Sequence, residues 1–133
     1  MKSLFIIITF LLTYSGFGQE TYFSPFTENL KTGEKEIINR TIIIHRNAII
    51  IKTDTDDGYD IQTLKILEKE IENDTNPSTA IYDCTSPDGV YPTTILIPQK
   101  SIISEILVIQ PSFVDDADEH FRFHIEQKEN LFQ

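Results

Sequence analysis

The chain has 133 residues, 40% of them hydrophobic, with one cysteine and no tryptophan, and sets 11 Lys and Arg against 21 Asp and Glu for a formal net charge of −10. That length accommodates a single domain with a core of its own, and the acidic balance excludes nucleic acid as a partner, because binding it depends on neutralising phosphates with Lys and Arg. Anionic membrane surfaces are disfavoured for the same reason, which leaves cations, basic proteins and neutral ligands as electrostatically acceptable partners.

Residues 1–18 read as a cleavable secretory signal peptide. Met1-Lys2-Ser3 forms a basic start, Leu4 to Leu12 is apolar apart from Thr9, and Gly16 and Gly18 are the small residues a signal peptidase needs, so cleavage is expected between Gly18 and Gln19. Polar and glycine residues after Leu12 leave the stretch short of the ~20 apolar residues of a spanning helix, so no membrane span is expected after cleavage. Residues 19–133 then form one secreted or periplasmic β-rich domain, and losing Lys2 takes its net charge from −10 to −11. With Cys84 as the only cysteine, this exported domain holds together without an intramolecular disulfide. Alternation in Ala80-Ile81-Tyr82-Asp83-Cys84 groups Cys84 with Ala80 and Tyr82, the pattern of a small buried hydrophobe; an intermolecular thiol is the other reading.

Along the domain, Thr41 to His45 and Ala48 to Lys52 flank Arg46-Asn47 and read as a hairpin, with Asn47 expected in a left-handed conformation. Its six isoleucines would lie on both faces, which calls for cover on both sides. Asp57-Gly58 then turns the chain back, so that Tyr59 to Leu67 would run beside Ile49 to Thr53. The segment 60–72 is two-sided: Ile61, Leu64, Leu67 and Ile71 fit a helical stripe, whereas the preceding turn favours a strand. Ile81 to Gly89 and Thr94 to Ile97 read as a further hairpin, and Glu105 to Ile109 as an apolar strand. Glu119, Phe121, Phe123 and Ile125 alternate with His120, Arg122, His124 and Glu126, the pattern of a strand with one face in water. Turn clusters at 53–58, 73–78, 86–89, 98–101 and 111–118 separate these runs. The fold class expected is all-β, a single antiparallel meander of seven or eight strands closed as a small barrel or folded sandwich. The alternative is α+β, with 60–72 as a helix over the sheet.

Chemistry is sparse. The acidic turn offers Asp54, Asp56, Asp57 and Asp60 as oxygen ligands for calcium, although Gly58 and Tyr59 stand where an EF-hand places Asp or Asn and then Gly. A second acidic run, Asp115, Asp116, Asp118 and Glu119, would add ligands if the two loops met. His120 and His124 are spaced like a helical zinc pair, yet on a strand they stand ~13 Å apart, too far to share one ion. Two glycosylation sequons, at Asn39 and Asn73, are read as chance matches, and no nucleophile elbow or phosphate loop is present. The reading that follows is an exported, non-enzymatic binding or interaction module. Its partner would be an unidentified protein or, if the sheet closes, a small apolar ligand in the barrel mouth. The alternatives are a small calcium-dependent hydrolase and a structural subunit of an envelope assembly that uses the Ile42–Ile51 hairpin as its oligomer surface.

Overall fold

Because successive side chains of a strand point to opposite faces, each Ile- and Phe-rich run supplies one apolar row, and a sheet that closes on itself hides all such rows together. The computed structural model, which describes residues 19–112 and 117–126, shows that closure; residues 1–18, read above as a signal peptide, and Asp115 and Asp116 lie outside the described residues. The strands are β1 (Glu20–Asn29), β2 (Lys35–Ile44), β3 (Ala48–Thr55), β4 (Gly58–Glu72), β5 (Thr79–Thr85), β6 (Pro92–Pro98), β7 (Glu105–Pro111) and β8 (Asp118–Glu126). Each pairs antiparallel with its neighbour in sequence, and β1 pairs with β8 to complete a barrel. The all-β meander expected from the sequence is therefore the fold, with eight strands and, among the described residues, no helix.

The inward rows meet as one core. Ile42 and Ile44 come from β2, Ile49 and Ile51 from β3, Leu64 from β4, Ala80, Tyr82 and Cys84 from β5, and Ile95 and Ile97 from β6; β7 adds Ile106 and Val108, and β8 adds Phe123 and Ile125. Burying each of the larger side chains contributes about 1.5–3 kcal/mol, which lets the domain dispense with a disulfide. The isoleucine hairpin divides accordingly: Ile43 pairs with Ile50 on the outer face, where both are half-buried. Its turn closes with His45 N–H donating to the Ala48 carbonyl at 2.8 Å. The left-handed conformation expected at Asn47 is not used, since among the described residues only Gly33, Gly58 and Gly89 have positive φ. That freedom is needed at Gly58, where φ is +147° as the chain leaves the Asp56-Asp57 turn.

The helical alternative for 60–72 is overturned. This segment lies in β4, whose first half pairs with β3 from Ala48↔Lys65 to Thr55↔Gly58 and whose second half pairs with β5 from Lys65↔Thr85 to Glu72↔Thr79. Of the four residues in the supposed helical stripe only Leu64 is buried; Ile61, Leu67 and Ile71 are exposed. Two ladders of backbone hydrogen bonds outweigh the local helix preference of Leu, Lys, Glu and Gln. A register shift between Ile66 and Glu68 leaves Leu67 unpaired and lets one long strand serve both neighbours. A similar shift in β1 falls at Pro25, a residue that has no N–H to give to a ladder.

One charged side chain sits inside the wall. Arg40 lies on the inward row of β2, between Ser24 and Thr53 in register, and donates through Nε to Thr53 Oγ1 at 3.2 Å and through a second nitrogen to the Thr27 hydroxyl. Its guanidinium stands 5.2 Å from the centre of the Phe123 ring, and burial lowers its pKa. Arg40→Met is expected to cost about 1–3 kcal/mol in chemical denaturation, because buried Thr27 loses its donor. Arg40→Lys should recover little of this, since an ammonium lacks the planar fork that reaches both hydroxyls.

Candidate functional site

In a meander barrel successive turns alternate between the two ends, so the turns at 45–47, 73–78 and 99–104 share one end with the start of β1 and the last residues of β8. That end opens as a mouth of 480 Å³. Below it the barrel is filled by isoleucines, since Ile49, Ile95 and Ile106 are 0% exposed. The opening is therefore a cup rather than a channel.

Its wall comes from four separate segments. β1 contributes Glu20 and Tyr22, the far half of β4 contributes Lys69, β5 contributes Tyr82, and the end of β6 with its following loop contributes Ile97 and residues 99–103 other than Ile102. Alternation explains the two tyrosines and Ile97, which belong to inward rows. The register shift in β4 explains Lys69: after the unpaired Leu67 the pairing brings Lys69 opposite Tyr82, and its Nζ lies 5.2 Å from the centre of that ring. The rim is tied across loops by Gln99 N–H donating to the Ser78 carbonyl at 2.7 Å and Ile125 N–H donating to the Ser104 carbonyl at 2.9 Å.

The Tyr22 hydroxyl donates to Glu20 Oε2 at 2.5 Å. Burial, with the adjacent Glu20 carboxylate and a smaller contribution from Tyr82, pushes the Tyr22 phenol well above its ordinary value, so it stays protonated throughout the physiological range. Neither Lys69 nor Lys100 forms an ion pair with a carboxylate among the described residues. Among the described residues the mouth thus offers two tyrosine rings, two isoleucines and more positive than negative charge in a chain that is acidic as a whole.

The residues singled out from the sequence lie elsewhere. Asp54, Asp56, Asp57 and Asp60 are all exposed at the opposite end of the barrel, and register places Asp54 across from Tyr59 on one face and Asp60 across from Thr53 on the other. Asp118 and Glu119 are at that same end, but β3 and β4 stand across the barrel from β7 and β8, so these two residues lie on the far side of the barrel from the Asp54–Asp60 turn. No group of three or more His, Cys, Asp or Glu able to hold a metal occurs among the described residues. Calcium asks for six to eight oxygen ligands, which these divergent carboxylates do not present together. Adding millimolar calcium is expected to leave the melting temperature unchanged; a rise that Asp54→Asn, Asp56→Asn and Asp57→Asn together abolish would show otherwise.

His120 and His124 lie on the outer face of β8, on either side of Arg122, and are not brought together. His124 stacks on Phe26 with ring centres 4.1 Å apart, whereas His120 pairs in register with Ile109. Arg122 bridges the closing seam, with Nη1 3.0 Å from Glu28 of β1 and Nε 2.8 Å from Glu105 of β7.

The geometry of the described residues defines a closed eight-stranded up-and-down β-barrel with a core of buried apolar side chains and a mouth at one end. The chain matches no protein-family model, no curated protein and no solved structure.

Proposed function

We propose that the protein is an exported, non-enzymatic binding module that holds one small, partly apolar molecule in the mouth of its barrel. The observation that carries this reading is the mouth itself. Eight strands are the number at which a barrel interior either fills with side chains or keeps room for one small ligand, and here buried isoleucines occupy the middle while 480 Å³ stand open at one end. That volume falls within the roughly 300–1,000 Å³ of small-molecule sites. Tyr22, held protonated by burial and by Glu20, favours binding over proton abstraction, since a phenol in that state does not act as a base, and with its one proton given to Glu20 it offers a ligand its ring and an acceptor oxygen. Export rests on the leader at residues 1–18.

The test is a titration of the purified protein, followed by backbone amide NMR, with small organic molecules that carry an aromatic or short alkyl body and a neutral, anionic or cationic end. Shift changes are expected to concentrate at Tyr22, Lys69, Tyr82 and residues 99–103. A panel that moves none of these resonances overturns the reading. Intact mass of the exported protein checks the other half, with a chain beginning at Gln19 expected.

A further inference from the structure

We infer that the mouth selects an organic anion: a molecule with a flat or short apolar body and a single carboxylate-like head. This rests on the reading of the mouth as a ligand site and names the class of ligand it takes.

The charge inventory of the mouth carries the inference. Among the described residues its charged side chains are Glu20, Lys69 and Lys100. The Glu20 carboxylate already accepts the Tyr22 hydroxyl, so part of its capacity is committed to the wall. The two ammonium groups have no carboxylate partner among the described residues, which leaves their donors to solvent or to a ligand. Lys69 is also held in place, because its Nζ lies over the Tyr82 ring, an attraction that keeps the cation at the wall of the cup rather than swinging free. An anion entering the mouth would meet Lys69 and Lys100 while its body lies against Tyr82, Ile97 and Ile103. Hydrogen bonds to an ionised partner are about twice as strong as neutral ones, so the head group decides between ligands of equal body. The net negative charge of the chain opposes this attraction at long range and is screened within about 10 Å at 0.1 M salt, whereas direct contacts inside the mouth are screened less.

The experiment compares three probes of one shape, 4-phenylbutyrate, 4-phenylbutanol and 4-phenylbutylamine, by calorimetry and amide NMR on the purified protein and two variants. The butyrate is expected to bind about tenfold more tightly than the alcohol, and the amine more weakly than either. Lys69→Met should abolish most of the preference for the butyrate. Glu20→Gln, which keeps an acceptor for Tyr22 and removes a negative charge, should strengthen butyrate binding severalfold. Opposite effects from two variants on one wall cannot come from damaged folding. Equal binding of alcohol and butyrate at mouth resonances, or no response of the preference to either variant, overturns the anion inference and leaves the mouth as a site. Failure of all three probes to move any mouth resonance overturns both.

Discussion

Replacing Ile95 by Ala is expected to lower the stability of the domain by about 2–5 kcal/mol and its melting temperature by roughly 10–25 °C, measured by urea denaturation and a thermal scan. Ile95 is 0% exposed and lies between Tyr82 of β5 and Val108 of β7 on the inward row, so deleting its outer carbons opens a cavity that two flanking ladders prevent from collapsing. Ile61→Thr on β4 is the matched control. Its side chain is 58% exposed on the outer face, Thr keeps the β-branch that suits a strand, and the change should fall within about 0.5 kcal/mol. Comparable losses from the two variants would contradict the facing of both strands.

The second large effect concerns Cys84. Its side chain is buried in the core, and burial, with Asp83 beside it, pushes the thiol up to about 11 from an ordinary 9.0. At pH 8 the thiolate, which is the reactive form, is then about a hundredfold scarcer than in the unfolded chain, before steric protection is considered. Labelling with an alkylating reagent is expected to be at least that much slower in the folded protein and to reach the ordinary rate in denaturant. Fast labelling of the native protein, or a disulfide-linked dimer on a non-reducing gel, would place Cys84 at a surface instead. The same shift has a consequence for stability. Because the folded state holds the proton more tightly than the unfolded one, the thiol contributes stability that is intact below about pH 9 and lost as pH rises through about 11. Cys84→Ala should flatten that part of the stability–pH curve, at the cost of a small cavity.

Local pattern made several features of this chain legible. The alternation of Phe121, Phe123 and Ile125 with charged and histidine neighbours defines the two faces of β8, and the same rule puts Cys84 inside with Ala80 and Tyr82. The Arg46-Asn47 and Asp57-Gly58 turns identify β2–β3 and β3–β4 as hairpins, and the antiparallel return of β4 beside β3 follows from the second turn. The first strand is not legible locally: residues 20–29 mix Pro25 with Glu, Thr and Asn, and their register shift disrupts the alternation that marks a strand. In β4 the local signal pointed two ways, and three of the four apolar residues in its apparent stripe proved to be exposed.

By itself, the amino-acid sequence determined the all-β class, the facing of the most regular strands, the acidic balance and the self-sufficiency of a disulfide-free core, because each follows from composition or from neighbours a few residues apart. Tertiary structure alone decided the closure of β1 on β8, which joins residues about 100 positions apart. For 60–72, where the preceding turn favours a strand and the apolar stripe a helix, it decided for the strand, because two backbone ladders outweigh side-chain preference. It also assembled the mouth, since Glu20, Tyr22, Lys69, Tyr82 and Lys100 share no local motif and meet only because a closed barrel brings alternate strand ends to one rim. The physical reason is one of range: alternation and turn chemistry act within a few residues, whereas a site built across a barrel depends on the register of every strand between its parts.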